Sequence, residues 1–397
     1  MYRNTYVEVN LDHINNNVKK ILKKYDDYQY YIGVVKGNAY GHGMYVVKEM
    51  ISSGINYLAV SCLEEAIDIR DYDKKIPILC LEPISLKYID DIISNQVTIS
   101  IPNLEYLKAL LKLNFVSKIK IHLKIDSGMH RLGFSCKDLV KEAVTLIEND
   151  KRIILEGIFT HFATTGIADK NWDQQLNNFK EITSLIDLSK IPIVHMGRSL
   201  TLLTHPKIPF CNGIRLGIIL YGFNTTPKYS NSFLDKLRQI KANYLIKKYD
   251  ISETSTDNDI DLIQSLELYS EILQIKKVKK GEYVGYGTSF RALNDIIVAT
   301  VGIGYADGIG RKHSGRSVVI NKKRYPIIGE VGMNMLSVLI DDTVKQTDIV
   351  KIMGDGISIR EVSYYIGNST YETLAMLPKS LPRVYIKNNK KVYIEEI

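Results

Sequence analysis

The chain has 397 residues, a formal net charge of +8 and an apolar fraction of 45%, which is enough for a substantial core and argues against general disorder. It contains no run of about 18 apolar residues, so we expect no membrane-spanning helix. It begins without the basic and apolar regions of a secretory signal. The four cysteines are far apart and form no CxxC pair, which predicts free thiols, no metal site and a cytoplasmic protein.

Two short runs, KKVKK at 276–280 and KNNKK at 387–391, carry the densest positive charge. No aromatic residues are interleaved with these lysines, as they are in proteins that stack the bases of single-stranded nucleic acids. We therefore predict that both runs are solvated surface and that the protein has no nucleic-acid partner.

The first part of the chain alternates between short β-rich runs and amphipathic helical stretches, which predicts parallel strands in βαβ units. Eight such strands match an α/β fold with an N-terminal TIM-type (β/α)8 barrel, although an open doubly wound sheet uses the same units. The candidate strands are YYIGVV (30–35), NYLAVS (56–61), IPILCL (76–81), VTISI (97–101), KIKIHLKI (118–125), ILEGIFTHF (154–162), IPIVHM (191–196) and GIRLGIILYG (213–222).

After about residue 223 the pattern changes to β-type runs with few helices, which predicts a second, mostly β C-terminal domain. A polar, acidic stretch at 247–264 is interpreted as an exposed loop or insertion. The opening segment alternates like a strand and is predicted to join the sheet of that second domain. We expect an N-terminal strand at 1–9, a barrel at 10–230 and a β-rich domain at 231–397.

The segment VVKGNAYGHG (34–43) places a lysine directly after a β-branched strand and before three closely spaced glycines. In a TIM-type barrel the C-terminal ends of the strands face the active site. A lysine that is desolvated there has a lowered pKa, and its amine can attack an aldehyde. Lys36 is therefore a candidate nucleophile. The alternative is a lysine that points into solvent beside an ordinary glycine turn.

This segment resembles the cofactor-binding stretch of the alanine racemase family. Further motifs of that family follow in the same order almost to the end of the chain, namely KIDSGMHRLGF (124–134), EGIFTHFA (156–163), NGIRLGIILYG (212–222), VGYGTSF (284–290), VGIGYADG (301–308), GEVGMNM (329–335) and LPRVY (381–385). The resemblance implies an amino-acid racemase that depends on pyridoxal 5'-phosphate, acts as a homodimer with shared active sites, and supplies D-alanine for cell-wall peptidoglycan.

The resemblance also implies which residues bind the cofactor. Lys36 would hold it covalently through its amine, and Tyr40 would hydrogen-bond its phosphate. Ser199 would add a hydroxyl, while Gly217 and Ile218 would offer backbone N–H groups. Hydroxyls and backbone amides are the usual components of a phosphate cradle.

Arg215 matches the arginine that faces the pyridine nitrogen in the family. A guanidinium cannot accept a proton, so it would leave that nitrogen unprotonated and limit side reactions such as transamination; a salt-bridged structural arginine is the alternative. Tyr286 matches the second base, which acts across the dimer interface with His161 as its hydrogen-bond partner. Lys36 and Tyr286 would then exchange protons with opposite faces of the α-carbon.

Other matched residues belong to the substrate side of the site. Arg131 and the backbone N–H of Met333 match groups that bind the substrate carboxylate, and Tyr305 matches a residue that gates the access path. Lys124 matches a lysine that is often carbamylated and then orients the arginine. The alternative for Lys124 is a plain lysine in a partly polar barrel interior.

Four positions depart from the family pattern. Arg198 stands where the family usually has asparagine, and Glu330 and Asn334 replace the arginine and aspartate of Gly-Arg-x-x-Met-Asp. Lys379 replaces a tyrosine that walls the substrate pocket. The altered wall makes serine a second candidate substrate, because discrimination by a methyl-sized pocket is only roughly 10- to 200-fold.

Three other kinds of barrel protein are alternatives. A pyridoxal-phosphate amino-acid decarboxylase shares the two-domain plan, and release of carbon dioxide would distinguish it. A pyridoxal-phosphate carrier without turnover would lack the second domain, and a sugar-phosphate enzyme would leave Lys36 unmodified. The continuous set of motifs around Lys36 and Tyr286 favours the racemase.

Overall fold

The computed structural model describes residues 3–164, 170–224 and 260–396, together with positions 240 and 244. The chain divides into two units, which are considered separately. The barrel unit comprises Asn15–Lys36 and Val47–Ile263, and the sheet unit comprises Met1–Ile14, Gly37–Val46 and Gln264–Ile397. The expected domain boundary at 230/231 and most of the 247–264 stretch lie outside the described residues.

The secondary structure of the described residues begins with a strand and then alternates between helices and strands. In chain order the strands are β1 (Tyr6–Asn10), β2 (Tyr30–Val34), β3 (Tyr57–Val60), β4 (Ile78–Cys80), β5 (Val97–Ile101), β6 (Ile119–Lys124), β7 (Ile153–Phe159), β8 (Ile193–Arg198), β9 (Gly213–Leu216), β10 (Leu266–Val278), β11 (Tyr283–Val284), β12 (Phe290–Arg291), β13 (Ile296–Val301), β14 (Ser317–Ile320), β15 (Lys323–Ile328), β16 (Leu336–Ile340), β17 (Ile349–Met353), β18 (Arg383–Lys387) and β19 (Lys390–Glu395). The α-helices are Leu11–Lys24, Val46–Ser52, Leu63–Arg70, Ile89–Ser94, Leu104–Leu111, Lys137–Glu148, Asn171–Ile182, Ser199–Thr204, Ile359–Ile366 and Thr370–Ala375.

In the barrel unit, β2 to β9 form a closed parallel barrel. Closure is shown by β2, which pairs with both β3 and β9, and this excludes the open doubly wound sheet. Nearly all positions of β2, β5 and β9 are buried, because helices cover the outside of such a barrel and side chains fill the inside. The predicted TIM-type barrel is therefore confirmed. The last strand is shorter than predicted, since Gly217 leaves the strand conformation (φ −113°, ψ −110°) and a 3₁₀ turn, Ile218–Tyr221, follows.

In the sheet unit the strand pairings close into a ring, because β10 pairs with both β13 and β17, and β16, β15 and β14 link those two. The strand β1 lies beside this ring, antiparallel to β10 and parallel to β18. This arrangement confirms the predicted mostly β C-terminal domain.

Two short helices interrupt the β pattern of the sheet unit, Ile359–Ile366 and Thr370–Ala375, and sequence analysis did not predict them. Each begins after a serine whose hydroxyl accepts a hydrogen bond from the backbone N–H of a glutamate three residues later. The sequence signal was present, since Ser-x-x-Glu is the pattern of a helix capping box.

Three further observations concern expectations that were drawn from the composition. No helix in the described ranges is long and apolar enough to cross a membrane. In the same part of the chain, no group of three His, Cys, Asp or Glu side chains could hold a metal ion. The four cysteines are free thiols.

Candidate active site

Lys36 lies just beyond the C-terminal end of β2. The preceding residue, Val35, still follows the barrel, because its N–H donates to the carbonyl of Ala59 at 2.9 Å. Lys36 is the last residue of this part of the barrel unit, and Gly37 is the first of the next segment of the sheet unit. The structure therefore places the lysine at the end of the barrel where the family of folds positions catalytic residues.

The four residues after Lys36 form a left-handed turn. Gly37, Asn38, Ala39 and Tyr40 have φ values of 64°, 53°, 51° and 53°, a conformation that only glycine adopts without cost. A side chain at Gly41 would begin 2.3 Å from the Leu374 carbonyl oxygen. Such a strained turn persists only where its surroundings hold it, and it gives this short segment a fixed course.

The buried guanidinium of Arg383 is one of the groups that hold this segment. Its Nε and Nη2 atoms both donate to the Gly41 carbonyl at 3.2 Å, and Arg383 is 1% exposed. The hydroxyl of Tyr385 donates to the carbonyl of His42 at 3.0 Å. The ring of Tyr40 lies 5.9 Å from that of Tyr371. These contacts fix Tyr40 within the sheet unit.

Arg215, in β9, is the most highly connected side chain of the barrel interior. Its Nη1 donates to Nδ1 of His195 at 2.7 Å and to the His195 carbonyl at 3.0 Å. Its Nη2 donates to the carbonyls of Thr160 at 2.7 Å and Met196 at 2.9 Å, and lies 3.5 Å from Nδ1 of His161. Burial lowers the pKa of Arg215 to about 10, so the side chain is still a cation at neutral pH.

Several cations converge near Arg215. Burial, followed by the charges of Arg131 and Arg215, lowers the pKa of Lys124 to about 8. Lys124 and Arg215 both lie over the ring of Phe159, at 5.6 Å and 5.4 Å from its centroid. Burial also lowers the pKa of His161 to about 2, helped by Arg215 and Arg198. Strong shifts of this kind at one place are typical of functional sites.

A second group of polar atoms lies where β8 and β9 end. Ser199 Oγ accepts a hydrogen bond from the backbone N–H of Gly217 at 2.8 Å. Arg198 Nε and Thr201 Oγ1 are buried without a hydrogen-bond partner among the described residues. Buried polar atoms in proteins are nearly always paired, so these two atoms are available to a polar ligand.

In the sheet unit, Tyr286 lies in a tight turn in which Gly285, Gly287 and Thr288 have positive φ. A side chain at Gly332 would begin 3.6 Å from the Tyr286 ring. Tyr305 also lies beside Gly332, because its backbone N–H donates to the Gly332 carbonyl at 3.0 Å.

The sheet-unit residues expected at the substrate side are largely exposed within this single chain. Tyr286 is 71% exposed, Met333 57% and Tyr305 43%. The structure thus brings these three together as a surface cluster of the sheet unit. The predicted site residues of the barrel unit are Lys36, Lys124, Arg131, His161, Ser199, Arg215, Gly217 and Ile218, and Ile218 is buried.

The departures from the family pattern have different surroundings. Glu330 lies 3.5 Å from Nη1 of the exposed Arg311, a kind of surface pair that contributes little stability. Asn334 and Lys379 are exposed. Arg198 differs from these three, because its backbone lies directly opposite Arg215 in the register of β8 and β9.

Sequence analysis missed a buried polar chain inside the barrel. Nε2 of His195 lies 2.9 Å from Nδ1 of His122, and Nε2 of His122 lies 3.4 Å from Glu156 Oε2. Glu156 also accepts from Tyr57 at 2.7 Å and from Lys120 at 2.6 Å. A histidine within each of the β-rich runs KIKIHLKI and IPIVHM was the available signal, since a polar residue in a buried strand needs a partner.

Comparison with known proteins gives one consistent result. The model of the alanine racemase N-terminal domain matches residues 9–225, and that of the alanine racemase C-terminal domain matches residues 265–385. Alanine racemase of Lactobacillus acidophilus is 32% identical over 97% of this chain and 98% of its own, and alanine racemase 1 of Clostridium acetobutylicum is 33% identical over 99% and 98%.

Solved structures agree with the sequence comparisons. The alanine racemase of Bacillus anthracis with bound L-Ala-P is similar with a TM-score of 0.85 and 32% identity, covering 99% of this chain and 98% of that one. A histidine racemase from Leuconostoc mesenteroides superimposes with a TM-score of 0.81 over 97% of this chain and 99% of its own at 23% identity. The latter likeness shows the shared fold alone.

Proposed function

The chain belongs to the alanine racemase family, and on this premise we propose that it interconverts L-alanine and D-alanine with pyridoxal 5'-phosphate as cofactor. The observation that carries the proposal is the convergence of cationic side chains on Lys124 and His161 in the barrel unit. Such a concentration of positive charge favours anionic ligands. The cofactor has a phosphate and an amino acid has a carboxylate. D-Alanine would serve as a precursor of cell-wall peptidoglycan.

The residues of the barrel unit fit the cofactor chemically. Lys36 would supply the amine for its aldehyde, and Ser199, Gly217 and Ile218 would supply a hydroxyl and backbone N–H groups for its phosphate. Tyr40, which belongs to the sheet unit, is proposed as a further donor to the phosphate. Arg215 is the donor for the ring nitrogen. When bound, the cofactor withdraws electrons from the α-carbon of the substrate, so that the α-proton becomes acidic.

Two bases on opposite faces of the substrate would move that proton. The amine of Lys36 accepts it from one enantiomer, while the hydroxyl of Tyr286 donates a proton to the other face; the roles are reversed for the other enantiomer. We propose that Tyr286 serves the site of the other subunit in a homodimer, with His161 as its hydrogen-bond partner. Because burial lowers the pKa of His161 to about 2, its imidazole is neutral there.

The substrate itself would be held by its carboxylate. We propose that Arg131 and the backbone N–H of Met333 bind this group, with Lys124 orienting Arg131 and Tyr305 controlling access. Lys124 and Arg131 are close enough for the arginine to lower the lysine's pKa. An anion at either side chain, the substrate carboxylate at Arg131 or a carbamate on Lys124, would relieve that repulsion.

A coupled racemase assay on purified, cofactor-loaded protein tests the proposal. L-Alanine and L-serine are supplied side by side, and the D-enantiomers are measured. Fast formation of D-alanine is the expected result, and the D-serine rate reports the effect of Lys379 on specificity. If neither substrate is racemised while carbon dioxide is released, the protein is a decarboxylase and the proposal is wrong.

We predict that replacing Arg198 with asparagine weakens binding of the cofactor about tenfold, as expected for the loss of a charged hydrogen bond. Arg198 faces Arg215 across β8 and β9, and like charges placed directly opposite repel each other, so an anion between them is stabilising. Titration of the apoprotein with pyridoxal 5'-phosphate, followed by absorbance, measures the dissociation constant.

The matched control is Arg198→Lys, which keeps the charge but loses the planar fork of donors. It should bind the cofactor with an affinity between those of the wild type and Arg198→Asn. Equal affinities for all three proteins would show that Arg198 has no part in cofactor binding.

We also predict that Lys124 is carbamylated. At its pKa of about 8, roughly half of the amine is neutral at pH 8, and its lone pair can attack carbon dioxide. A new N–C bond forms, a proton is lost to solvent, and the resulting carbamate is an anion among cations. ¹³C NMR in ¹³C-labelled bicarbonate should show a carbamate signal that Lys124→Met lacks; its absence from the wild type at pH 8 would refute the modification.

A further inference from the structure

We propose that Glu156 is a positioning residue that acts through His122 and His195 to hold Arg215 in one hydrogen-bonding state. The proposal rests on the proposed function, since Arg215 is the residue expected to face the cofactor ring. The contacts form a line inside the barrel. Arg215 Nη1 lies 2.7 Å from His195 Nδ1, and His195 Nε2 lies 2.9 Å from His122 Nδ1. His122 Nε2 has no hydrogen-bond partner of good geometry among the described residues, and it lies 3.4 Å from Glu156 Oε2, the nearest anion.

The chemistry of the donors gives this line one direction. Arginine can only donate hydrogen bonds, so Nδ1 of His195 must be the acceptor and its proton must be on Nε2. That Nε2–H then donates to His122, whose Nδ1 must also be an acceptor. The remaining proton of His122 is therefore on Nε2, the nitrogen that faces Glu156. A carboxylate is an acceptor on both of its oxygens, so it completes the line without conflict.

The charge states of the two histidines and of Glu156 support this assignment. Burial lowers the pKa of both His122 and His195, so both imidazoles are neutral and each has a single N–H. Burial alone would raise the pKa of Glu156, but the neighbouring His122 and the hydrogen bonds from Lys120 and Tyr57 outweigh it and bring the pKa to about 2. Glu156 is therefore an anion at every pH at which the enzyme would work.

The packing of the barrel holds both imidazoles in place. Gly157 leaves room for the His122 ring, because a side chain there would begin 2.5 Å from the His122 Cε1 atom. The ring of His195 is stacked on Phe159, with centroids 4.8 Å apart and an angle of 14° between the planes. Both rings are therefore confined by close packing, which favours transmission of a change at Glu156 to Arg215.

A purely structural role is the competing explanation, since Glu156 also joins β7 to β3, β5 and β6 through Tyr57, Thr98 and Lys120. The two roles differ in what they require of the histidines. A structural role sets no tautomer and has no effect on Arg215. The positioning role requires a fixed tautomer at both histidines and an effect of Glu156 on Arg215.

Histidine ¹⁵N NMR of the cofactor-loaded enzyme tests the assignment directly. The signals of His122 and His195 are identified by their loss in His122→Asn and His195→Asn. We expect both rings to be neutral Nε2–H tautomers from about pH 6 to about pH 9, because burial keeps them uncharged. An Nδ1–H tautomer, or a charged imidazolium, at either position would overturn the proposal.

Substitutions of Glu156 test the link to Arg215. In Glu156→Leu the acceptor is lost, so the ¹⁵N signals of both histidines and the pH midpoint of the cofactor's visible absorbance should shift. We expect kcat to fall about tenfold or more with KM changed less than twofold, the effect of a misplaced group remote from the substrate. Glu156→Gln still offers an oxygen to His122 and should restore the wild-type tautomers.

Thr98→Val is the matched control, because it removes a 3.2 Å hydrogen bond to Glu156 without touching either histidine. It should leave the ¹⁵N signals and the absorbance midpoint unchanged. If it shifts them as much as Glu156→Leu does, or if Glu156→Leu shifts neither, the role of Glu156 is structural. If Glu156→Leu does not fold, His122→Phe replaces it as the test variant. It must then shift the His195 signals and the pH midpoint of the cofactor's absorbance.

The tautomer measurement also separates this proposal from the proposed function. Both histidines can be Nε2–H tautomers in a protein that racemises nothing. That combination would refute the proposed racemase activity and leave the line of contacts from Arg215 to Glu156 intact. Conversely, an active racemase with another tautomer at His195 would overturn the role of Glu156 alone.

Discussion

Replacing Lys36 with alanine is expected to abolish racemisation in both directions, with a loss of at least ~10³-fold in kcat. A positioned acid or base alone contributes typically 10²–10⁴-fold, and Lys36 is also the amine that would hold the cofactor. Both roles depend on its place beyond the end of β2, where Val35 still pairs with Ala59. The rates of D-alanine and L-alanine formation, measured separately on the purified variant, check this prediction.

A matched control is Lys112→Ala, which removes an exposed lysine directly after the helix Leu104–Leu111. It should keep wild-type rates and the wild-type absorbance of the bound cofactor, whereas Lys36→Ala should lose the covalently held form. Turnover by Lys36→Ala at more than a tenth of the wild-type rate would contradict the role given to this lysine.

The barrel was predictable because its strands are buried on both faces. Most therefore appear in the sequence as short runs rich in apolar residues, and β5, VTISI, is buried at every position. Helices between such runs leave few arrangements other than parallel strands. Closure was not predictable from the same pattern, because it depends on the pairing of β2 with β9, which are far apart in sequence.

The ends of elements were less predictable. The run GIRLGIILYG looks like one strand, but the backbone turns away at Gly217 and the apolar residues that follow form a 3₁₀ turn. Periodicity cannot separate these cases, since a buried strand and a buried turn use the same apolar residues. The turn matters for the site because it leaves the N–H of Gly217 directed at Ser199.

The relation of Arg215 to His195 was outside the reach of sequence analysis for a different reason. The register of β8 against β9 shifts between His195 and Arg198, and a shift of one residue moves every following side chain to the other face. Motifs located Arg215, His161 and Lys124 individually. The register then decides that Arg215 reaches His195 and that Arg198 lies opposite Arg215.

Mixing two inactive variants should restore activity if the homodimer shares its active sites as proposed. Tyr286→Phe alone should lose at least ~10²-fold in turnover, because it removes the second acid or base. Lys36→Ala is expected to be inactive because it lacks the first base and the amine that would hold the cofactor. In a dimer with one copy of each variant, one site combines the intact Lys36 of one subunit with the intact Tyr286 of the other. Random association in a two-fold dimer gives roughly a quarter of the wild-type activity.

The exposure of Tyr286 in the single chain, 71%, motivates this experiment, since a catalytic tyrosine is not expected to face bulk water. The two variants are unfolded together, refolded as a mixture and assayed for D-alanine formation. The controls are each variant refolded alone and a double variant carrying both substitutions, none of which can form an intact site. If the mixture is no more active than the separate variants, Tyr286 serves the Lys36 of its own chain or has no catalytic role. Recovery near a quarter would show that two chains build each site, because no chain in the mixture holds both intact residues.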